Sequence, residues 1–280
     1  MKILLLGASS YVGARLYFDL RDKHNTTGTY DQNQLSKEFV QLDITKADDV
    51  HKLVSRLAPD VIVHAAANTN SRWCEANPQE AKALNETSSH AIVAAANEVG
   101  AKLVYISSFA AIQPINVYGR AKQASEEITK QATSGWVVLR PSLIIGYSPN
   151  TTNDRPFNRL LKNLDQGTKA QYDTSWKFQP TWVGHISEVI ELVLDKQITH
   201  QVIPVAVDEL KSRYDFAKDI LEPFGVTVSP IDASDTSPKF HEDLGKLTQL
   251  GLPTYSYEAI IQKIVQEVRE RQKFEISSWR

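Results

Sequence analysis

The chain has 280 residues, 42% of them hydrophobic and 23% charged, so it can bury a large core as one domain or as two unequal lobes. A net charge of −2 gives no electrostatic basis for binding nucleic acid or an acidic membrane surface. Cys74 is the single cysteine, which excludes an internal disulfide and favours the reducing cytoplasm. With no partner cysteine and only scattered histidines, a metal site has little support.

The first apolar run ends at Leu6 and is shorter than the core of a signal peptide, so a buried parallel strand is predicted over residues 3–6. No later run approaches the length of a membrane span. A glycine-containing turn follows, and then a predicted helix from Ala14 to about Arg21. Strand, turn and helix in this order are the context of a dinucleotide-binding fingerprint.

The turn supplies the first candidate cofactor residues. Gly7 allows a tight turn, Gly13 lets the helix pack closely on the strand, and the helix N-terminus offers N–H groups to a pyrophosphate. Ser10 stands where the middle glycine is expected, and its hydroxyl is a candidate phosphate ligand. The predicted cofactor-binding residues of this turn are Gly7, Ser9, Ser10, Tyr11, Val12 and Gly13.

A carboxylate follows the second predicted strand, residues 26–30. Asp31 lies 18 residues after Gly13, near the position where an acid meets the ribose 2′-hydroxyl of a dinucleotide. It would repel a 2′-phosphate, which favours NAD over NADP without excluding NADP. The alternative is that Asp31 caps a turn with Asn33.

The third predicted strand, residues 38–42, ends at Asp43 and Ile44, both candidate cofactor contacts. Asp43 either reaches an adenine amino group or is a plain turn residue. Thr45 with Asp48 predicts a capping box for a helix that runs through Leu57.

A buried strand is predicted at residues 61–63, and it ends in His64 and three small residues. Ala65, Ala66 and Ala67 let a cofactor lie against the backbone, whereas His64 is expected to be a core histidine rather than a catalytic one. Asn77-Pro78 predicts the start of a helix that runs to about Glu98. Asn85 lies in the middle of this helix, where it either binds a water, a backbone group or the cofactor near the active site, or faces solvent.

The next strand, residues 103–106, ends at Ser107-Ser108 and precedes a helix that begins near Tyr118. Tyr118 and Lys122 share one face of this helix, and an ammonium near a phenol is expected to lower the phenol pKa from about 10. Such a phenol can exchange a proton with a substrate oxygen, and the Ser108 hydroxyl can hold the same oxygen. Ser108, Tyr118 and Lys122 are therefore the predicted catalytic residues.

The same Tyr-x-x-x-Lys spacing recurs at Tyr214 and Lys218, so the spacing alone is a weak signal. Tyr214 shares an apolar helix face with Ala217, Ile220 and Leu221, which predicts a core position. In the later half, Trp176, Phe178 and Trp182 either stack on a base or sugar or belong to the core.

The order β-α-β-β-α-β-α-β-α-β over residues 1–147 predicts an α/β doubly wound parallel sheet of Rossmann type, which would be the dinucleotide-binding domain. Residues 148–280 are predicted to form mostly a smaller α/β lobe for the substrate, over the C-terminal ends of the strands. A segment near 182–207 is expected to return to the first domain.

Several motifs together resemble the extended short-chain dehydrogenase/reductase superfamily, and within it the dTDP-4-dehydrorhamnose reductases and their sugar-nucleotide-binding relatives. They are Gly7-x5-Gly13, residues 59–67, residues 83–87, Ile106-Ser107-Ser108, residues 116–122, Arg140-Pro141-Ser142 and Pro180-Thr181. The chain departs from that pattern at Phe109, where the family usually has Asp, and in a shorter loop before Tyr118.

The resemblance implies a reductase that binds NAD or NADP between Gly7 and Tyr118. It implies Tyr118 as proton donor, Lys122 as its pKa tuner and ribose ligand, and Ser108 as the group that holds the carbonyl. The implied substrate is the 4-keto group of a nucleotide-linked deoxysugar, and the chain is expected to be cytoplasmic, with a homodimer left open. The alternatives are an epimerase or dehydratase that retains its NAD, and a non-catalytic dinucleotide-binding regulatory subunit.

Overall fold

The computed structural model describes residues 1–167, 169–237 and 239–276. Its strands are, in chain order, β1 (Lys2–Leu6), β2 (Asn25–Tyr30), β3 (Val40–Gln41), β4 (Val61–His64), β5 (Lys102–Ile106), β6 (Trp136–Pro141), β7 (Ile144–Ile145), β8 (Ala170–Asp173), β9 (Lys177–Phe178), β10 (Thr181–Trp182), β11 (Gln201–Val205), β12 (Lys211–Ser212) and β13 (Val228–Ile231).

Its α-helices are α1 (Tyr11–Leu20), α2 (Ala47–Leu57), α3 (Ser71–Ala76), α4 (Pro78–Lys82), α5 (Ser88–Val99), α6 (Val117–Thr129), α7 (Pro156–Gln166), α8 (Val183–Asp195), α9 (Arg213–Leu221), α10 (Gly245–Gln249) and α11 (Tyr257–Arg269). Shorter helical turns lie at Ala83–Thr87, Phe109–Ala111, Glu222–Phe224 and Arg271–Phe274. None of the helices in this part of the chain is both long and apolar enough to cross a bilayer.

A seven-stranded sheet in the order β11-β6-β5-β4-β1-β2-β3 forms the centre of the fold. All of its strand pairs are parallel. The chain moves outward from β1 in one direction through β2 and β3, and in the other through β4, β5 and β6. The predicted doubly wound α/β sheet is therefore confirmed, and its strand order reverses beside β1, the place where such sheets bind ligands.

The residues of β1 show why this strand is central. Ile3 and Leu5 belong to a hydrophobic cluster on one face of the sheet, and Leu4 and Leu6 belong to a cluster on the other face. Helices α1 and α8 pack together on the first face, and α2 and α5 on the second. A strand covered on both faces needs an unbroken apolar run, which is the sequence pattern seen here.

The later half of the chain supplies most of a third hydrophobic cluster, which also includes Tyr11 of α1, and it forms short two-stranded ladders. Strand β8 pairs with β13, β9 with β12 and β7 with β10. In contrast, β11 pairs in parallel with β6 at the edge of the main sheet, and α8 packs on α1. The predicted substrate lobe over 148–280 includes residues 168, 238 and 277–280, which lie outside the described residues, and its separateness stays a prediction.

Three local predictions are wrong. Helix α2 has Lys46 as its N-cap, with no side-chain capping bond, because the Thr45 hydroxyl donates instead to Asp43 at 2.6 Å. The helix predicted from Pro78 to Glu98 is interrupted by a π-helical turn, Ala83–Thr87, and is preceded by the unpredicted α3. The strand predicted over 38–42 has only the two residues of β3.

Candidate active site

A cavity of about 290 Å³ lies where the glycine turn, the ends of β4 and β5, and the start of α6 meet. The predicted catalytic residues Ser108, Tyr118 and Lys122 all line it. The remaining lining residues are Ser10, Tyr11, Val12, Ala65, Ala67, Thr69, Ile106, Ser107, Pro141, Ser142, Leu143, Ile144, Arg155 and Pro156. The structure therefore brings the predicted catalytic set and part of the predicted cofactor turn to one place.

Local backbone geometry fixes Tyr118 relative to Ser108. The Asn116 side chain caps α6 by accepting from the Gly119 N–H at 2.7 Å, which places Tyr118 in the first helical turn. Gly119 permits a close approach, because a Cβ there would lie 2.6 Å from the Ala110 carbonyl oxygen. Ala110 belongs to the short helical turn Phe109–Ala111. Ser108 caps this turn, because its hydroxyl oxygen accepts a hydrogen bond from the Ala110 N–H at 3.2 Å.

Lys122 lies one turn further along α6 and is 3% exposed. Its Nζ donates to the Ile106 carbonyl oxygen at 2.8 Å and lies 6.0 Å from the centroid of the Tyr118 ring and 4.6 Å from that of Tyr105. Burial lowers the pKa of Lys122 to about 7, and the charge of Glu126 opposes this change.

Burial raises the pKa of Tyr118 to about 12, while the Ser108 hydroxyl and the Arg155 guanidinium favour the phenolate and offset part of this rise. The predicted lowering of the Tyr118 pKa by Lys122 is therefore wrong for this arrangement. The loss of water around the phenol outweighs the groups that favour the phenolate. Tyr118 is held in the protonated form at neutral pH.

Glu126 completes the buried charge network and was missed by the sequence analysis. It accepts from the Ser107 hydroxyl at 2.5 Å and from Arg140 Nε at 2.9 Å and Nη2 at 2.5 Å. The pair with Arg140 joins α6 to β6 directly behind Lys122. Its signal in the sequence is the spacing of four residues after Lys122 on the same helix face.

The glycine turn has the geometry that its glycines require. Gly7 has φ +82°, and a Cβ there would lie 2.7 Å from the Ala66 Cα. A Cβ on Gly13 would lie 2.1 Å from the Gly7 carbonyl oxygen, so close packing of α1 on β1 depends on this glycine. Ser10 caps α1 by accepting from the Gly13 N–H at 2.9 Å, so its oxygen is already engaged.

Other predicted residues of the turn are partly committed to the protein. The Tyr11 hydroxyl donates to the Gly146 carbonyl, and the Ser9 hydroxyl accepts from the Leu35 N–H at 3.2 Å. Val12 lines the cavity. Of these residues, Tyr11 can offer a ligand only its backbone and ring, because its hydroxyl is used.

A second cleft of about 530 Å³ includes Asp31 and Asp43. Burial and the charge of Asp43 raise the pKa of Asp31. The Asp43 carboxylate accepts hydrogen bonds from the Thr45 N–H at 2.9 Å and from the Thr45 hydroxyl, as the turn-residue alternative expects, and Asp43 is half-buried. Ile44 is 4% exposed within the cluster around α2, so its side chain faces the core.

The end of β4 carries the small residues and His64. Ala65 and Ala67 line the cavity, and Ala66 contacts the glycine turn. His64 is 2% exposed, and burial together with the charge of Lys122 lowers its pKa to about 3, as expected for a neutral core histidine. Asn85 is also buried, and its amide binds the Asn68 backbone N–H and C=O, each at 2.8 Å. Asn85 therefore positions the loop after β4, and its side-chain amide is not free for a cofactor.

The aromatic residues of the later half lie in the core rather than in the cavity. Trp182 is 5% exposed and donates to Glu267 at 3.0 Å, and Trp176 stacks on Phe178 with ring centroids 4.8 Å apart. None of the three lines the cavity. Tyr214 is half-buried against the same cluster, as predicted.

Two further lining residues were not singled out from the sequence. Arg155 donates to the Thr69 hydroxyl across the cavity, although 86 residues separate them in the chain. No local pattern in the polar stretch before α7 marks this contact. Among the described residues, no group of His, Cys, Asp and Glu side chains is arranged to hold a metal ion.

Comparison with known proteins places this site in a family. Residues 1–243 match the family model described as the RmlD substrate binding domain. A dTDP-4-dehydrorhamnose reductase of Salmonella typhimurium is 35% identical over 158 residues, which cover 51% of this chain and 52% of that protein. Methionine adenosyltransferase 2 subunit beta of Mus musculus is 23% identical over 277 residues, covering 90% of this chain and 83% of that protein.

The fold is shared with a solved dTDP-4-dehydrorhamnose reductase from Bacillus anthracis in complex with NADP. That structure superposes with a TM-score of 0.80 at 22% identity and covers 95% of this chain and 98% of the other. These matches confirm the resemblance that the motifs carried. The chain belongs to the RmlD substrate binding domain family, within the extended short-chain dehydrogenase/reductases.

Proposed function

We propose that this protein is an NAD(P)-dependent oxidoreductase that reduces a carbonyl, namely the 4-keto group of a nucleotide-linked deoxysugar. The observation that carries the proposal is the convergence of Ser108, Tyr118 and Lys122 on one cavity beside the glycine turn. The named reductase from Salmonella typhimurium, 35% identical over half of the chain, supports the same reaction class.

The residues present fit a dinucleotide. At Gly7 and Gly13 there is no room for a side chain, which brings the backbone of the turn close to any ligand above β1. The first turn of α1 faces the same cavity through Ser10, Tyr11 and Val12. A cofactor held there would run from this turn past Ala65 and Ala67 to Tyr118, and its nicotinamide supplies hydride when bound.

Each catalytic side chain then has a defined task. The Ser108 hydroxyl holds the substrate carbonyl oxygen, and Tyr118 donates the proton that this oxygen needs as it is reduced. Because burial holds the Tyr118 pKa at about 12, the phenol begins protonated and its phenolate needs support. Lys122 in its charged form gives that support, and it also binds the ribose of the cofactor.

The second cleft bears on the choice of cofactor. Asp31 and Asp43 place two carboxylates at the end of β2 and β3, and a 2′-phosphate would be repelled there. The cleft is also lined by Asp49 and by three cations, Lys46, Lys52 and Arg56, so the repulsion of a 2′-phosphate by the carboxylates is offset. We propose that the site prefers NAD and still accepts NADP.

Tyr118→Phe tests the proposed reaction. The variant should bind NADH as tightly as the wild type, because it keeps the ring, but should oxidise it with dTDP-4-dehydrorhamnose at least about 100-fold more slowly. Stopped-flow absorbance of NADH measures the rate. Tyr214→Phe is the matched control and should keep the wild-type rate. An unchanged rate in Tyr118→Phe would refute the assigned proton donor.

One observation favours a second candidate function, a non-catalytic subunit of another enzyme. The mouse protein named as a subunit beta aligns with 90% of this chain, far more than the aligned half of the named reductase. NADH binding without oxidation on a panel of keto-sugar nucleotides would favour that function, and turnover would exclude it.

A further inference from the structure

Arg155 has an unusual position among the charged residues of the catalytic cavity. The cavity is lined by two cations, Arg155 and Lys122, and by no aspartate or glutamate of the described chain. Lys122 is buried and donates to the Ile106 carbonyl oxygen. The half-buried Arg155 is therefore the cation placed to meet a ligand that enters from solvent.

The partners of Arg155 leave most of its hydrogen-bonding capacity available. The Arg155 guanidinium donates a hydrogen bond to the Thr69 hydroxyl, and within the described residues Arg155 forms no ion pair. The neighbouring carboxylate, Asp154, is held instead by Arg159, through contacts of 2.5 and 2.6 Å. A guanidinium has five N–H donors in a planar fork that suits phosphate and carboxylate oxygens.

The segment that carries Arg155 is fixed relative to the glycine turn. Asn150 Nδ2 donates to the Ser9 carbonyl oxygen at 2.6 Å. Asn158 Nδ2 donates to the Asn150 and Asn153 carbonyl oxygens, each at 3.0 Å. Arg155 itself is the N-cap of α7, and Pro156 at the first helical position also lines the cavity. A cation on such an ordered segment loses little conformational entropy when it binds a ligand.

Arg155 also faces the same cavity as the reacting group. Thr69, which accepts its hydrogen bond, and Tyr118 both line this cavity with it, and the charge of Arg155 favours the Tyr118 phenolate. An anion bound by Arg155 would therefore lie in the cavity that holds Tyr118 rather than at a remote subsite.

We infer that Arg155 is a specificity-determining residue that binds an oxyanion of the substrate in the cavity that it shares with Tyr118. This inference rests on the proposed function and adds the requirement that the substrate is anionic. A diphosphate linked to the sugar and a carboxylate on the sugar share this chemistry. Thr69 holds the guanidinium across the cavity until the oxyanion replaces it.

Calorimetric titration of the full chain with dTDP, with and without saturating NADH, tests the inference. Arg155→Gln should weaken dTDP binding by at least about tenfold, because it removes charge-assisted hydrogen bonds. Arg155→Lys, which keeps the charge but not the fork, should weaken it less. Arg159→Gln is the matched control on the same helix and should bind dTDP as the wild type does. Thymidine should show no dependence on Arg155.

The outcomes separate the inference from the reductase itself. If NADH fails to bind the wild type, the proposed reductase is refuted, while the titrations without NADH still report on Arg155. If D-glucuronate rather than dTDP depends on Arg155, the oxyanion is a carboxylate and the inference stands. Binding of both dTDP and D-glucuronate that is equal in Arg155→Gln and wild type, equal losses in Arg155→Gln and Arg159→Gln, or no binding of either anion would overturn it.

Discussion

At the scale of single residues, the catalytic cavity holds a lysine whose charge is costly to bury. Lys122 is 3% exposed, and among the described residues its Nζ donates one hydrogen bond, to the Ile106 carbonyl oxygen. Glu126 lies four residues on, but its oxygens are already occupied by Ser107 and Arg140. The site thus places an incompletely paired ammonium beside Tyr118, which is useful for proton transfer and unfavourable for folding.

Lys122→Met should therefore stabilise the protein while it abolishes turnover. Because the folded pKa of about 7 lies below that of an unfolded lysine, charging Lys122 opposes folding at every pH below the unfolded value. We expect the free energy of unfolding at pH 7 to rise by about 1–4 kcal/mol. Urea denaturation measures it.

The pH dependence provides the internal check for this substitution. The cost is fully present below about pH 7 and disappears as the pH rises toward the unfolded pKa, so the gain in Lys122→Met should shrink between pH 7 and 9. Lys218→Met, in the second Tyr-x-x-x-Lys copy, is the control and should change stability by less than about 0.5 kcal/mol. A Lys122→Met variant less stable than the wild type at pH 7 would show that the Ile106 hydrogen bond outweighs the burial of charge.

The residue scale also shows what local sequence can and cannot predict about the site. Ser108, Tyr118 and Lys122 were found because a strand end and a helix face are local patterns. Arg155 and Glu126 were not, since the partners of each lie on other elements: Arg155 meets Thr69 across 86 residues, and Glu126 meets Arg140 on β6. The pKa of Tyr118 was predicted with the wrong sign because burial, which outweighs the neighbouring charges, is not visible in the spacing.

At the scale of elements, the contact between β1 and α1 sets the position of the cofactor turn. Gly13 sits against the Gly7 carbonyl, so the start of α1 and the end of β1 meet without an intervening side chain. The two glycines act together. Gly7 allows the chain to turn after β1, and Gly13 has no side chain that would keep α1 away from the Gly7 carbonyl. This is the part of the fold that the sequence predicted best, since both glycines and the apolar strand lie within 11 residues.

Gly13→Ala should displace α1 from β1. Its Cβ would lie 2.1 Å from the Gly7 carbonyl oxygen, a backbone atom that cannot move away cheaply. We expect a loss of about 1–3 kcal/mol in unfolding free energy, as for overpacked cores, with weaker NADH binding. Gly225→Ala is the comparison: nothing lies within 4 Å of its Cβ, so only its positive φ is penalised, by about 1–2 kcal/mol. Fluorescence titration measures NADH binding in both variants. Gly225→Ala should bind NADH as tightly as the wild type, whereas Gly13→Ala should bind it more weakly.

Elements that depend on distant partners were predicted less well. The helix expected from Pro78 to Glu98 is interrupted by the π-helical turn that carries Asn85. The side-chain amide of Asn85 forms two hydrogen bonds with the backbone of Asn68, 17 residues earlier. The predicted Thr45 cap fails because Asp43, two residues away, takes the same hydroxyl. In both cases a polar side chain forms a hydrogen bond that competes with the regular hydrogen bonding of the predicted helix or its cap.

At the scale of the whole molecule, two buried histidines couple the fold to pH. His64 lies at the end of β4 and His185 lies in α8. Burial is the main reason that the pKa of His64 is lowered to about 3 and that of His185 to about 4. Each has an Nδ1 with no hydrogen-bond partner among the described residues. Both therefore stay neutral in the folded chain at pH values where an unfolded chain would protonate them.

Acid should destabilise the protein through these two sites. An unfolded histidine binds its proton near pH 6.5, whereas the folded sites bind theirs only near pH 3 and 4, so their stabilising contribution is complete above about 6.5 and is lost as the pH falls. Between pH 6 and 5, each site should contribute up to about 1.4 kcal/mol per pH unit to the slope of unfolding free energy against pH. His64→Gln and His185→Gln should each lower that slope by the contribution of one proton, about 1.4 kcal/mol per pH unit. His90→Gln, at an exposed position, is the control and should leave the slope unchanged. A slope is the decisive readout because a packing defect changes stability at every pH alike, so unchanged slopes in both variants would show that these histidines titrate in the folded chain.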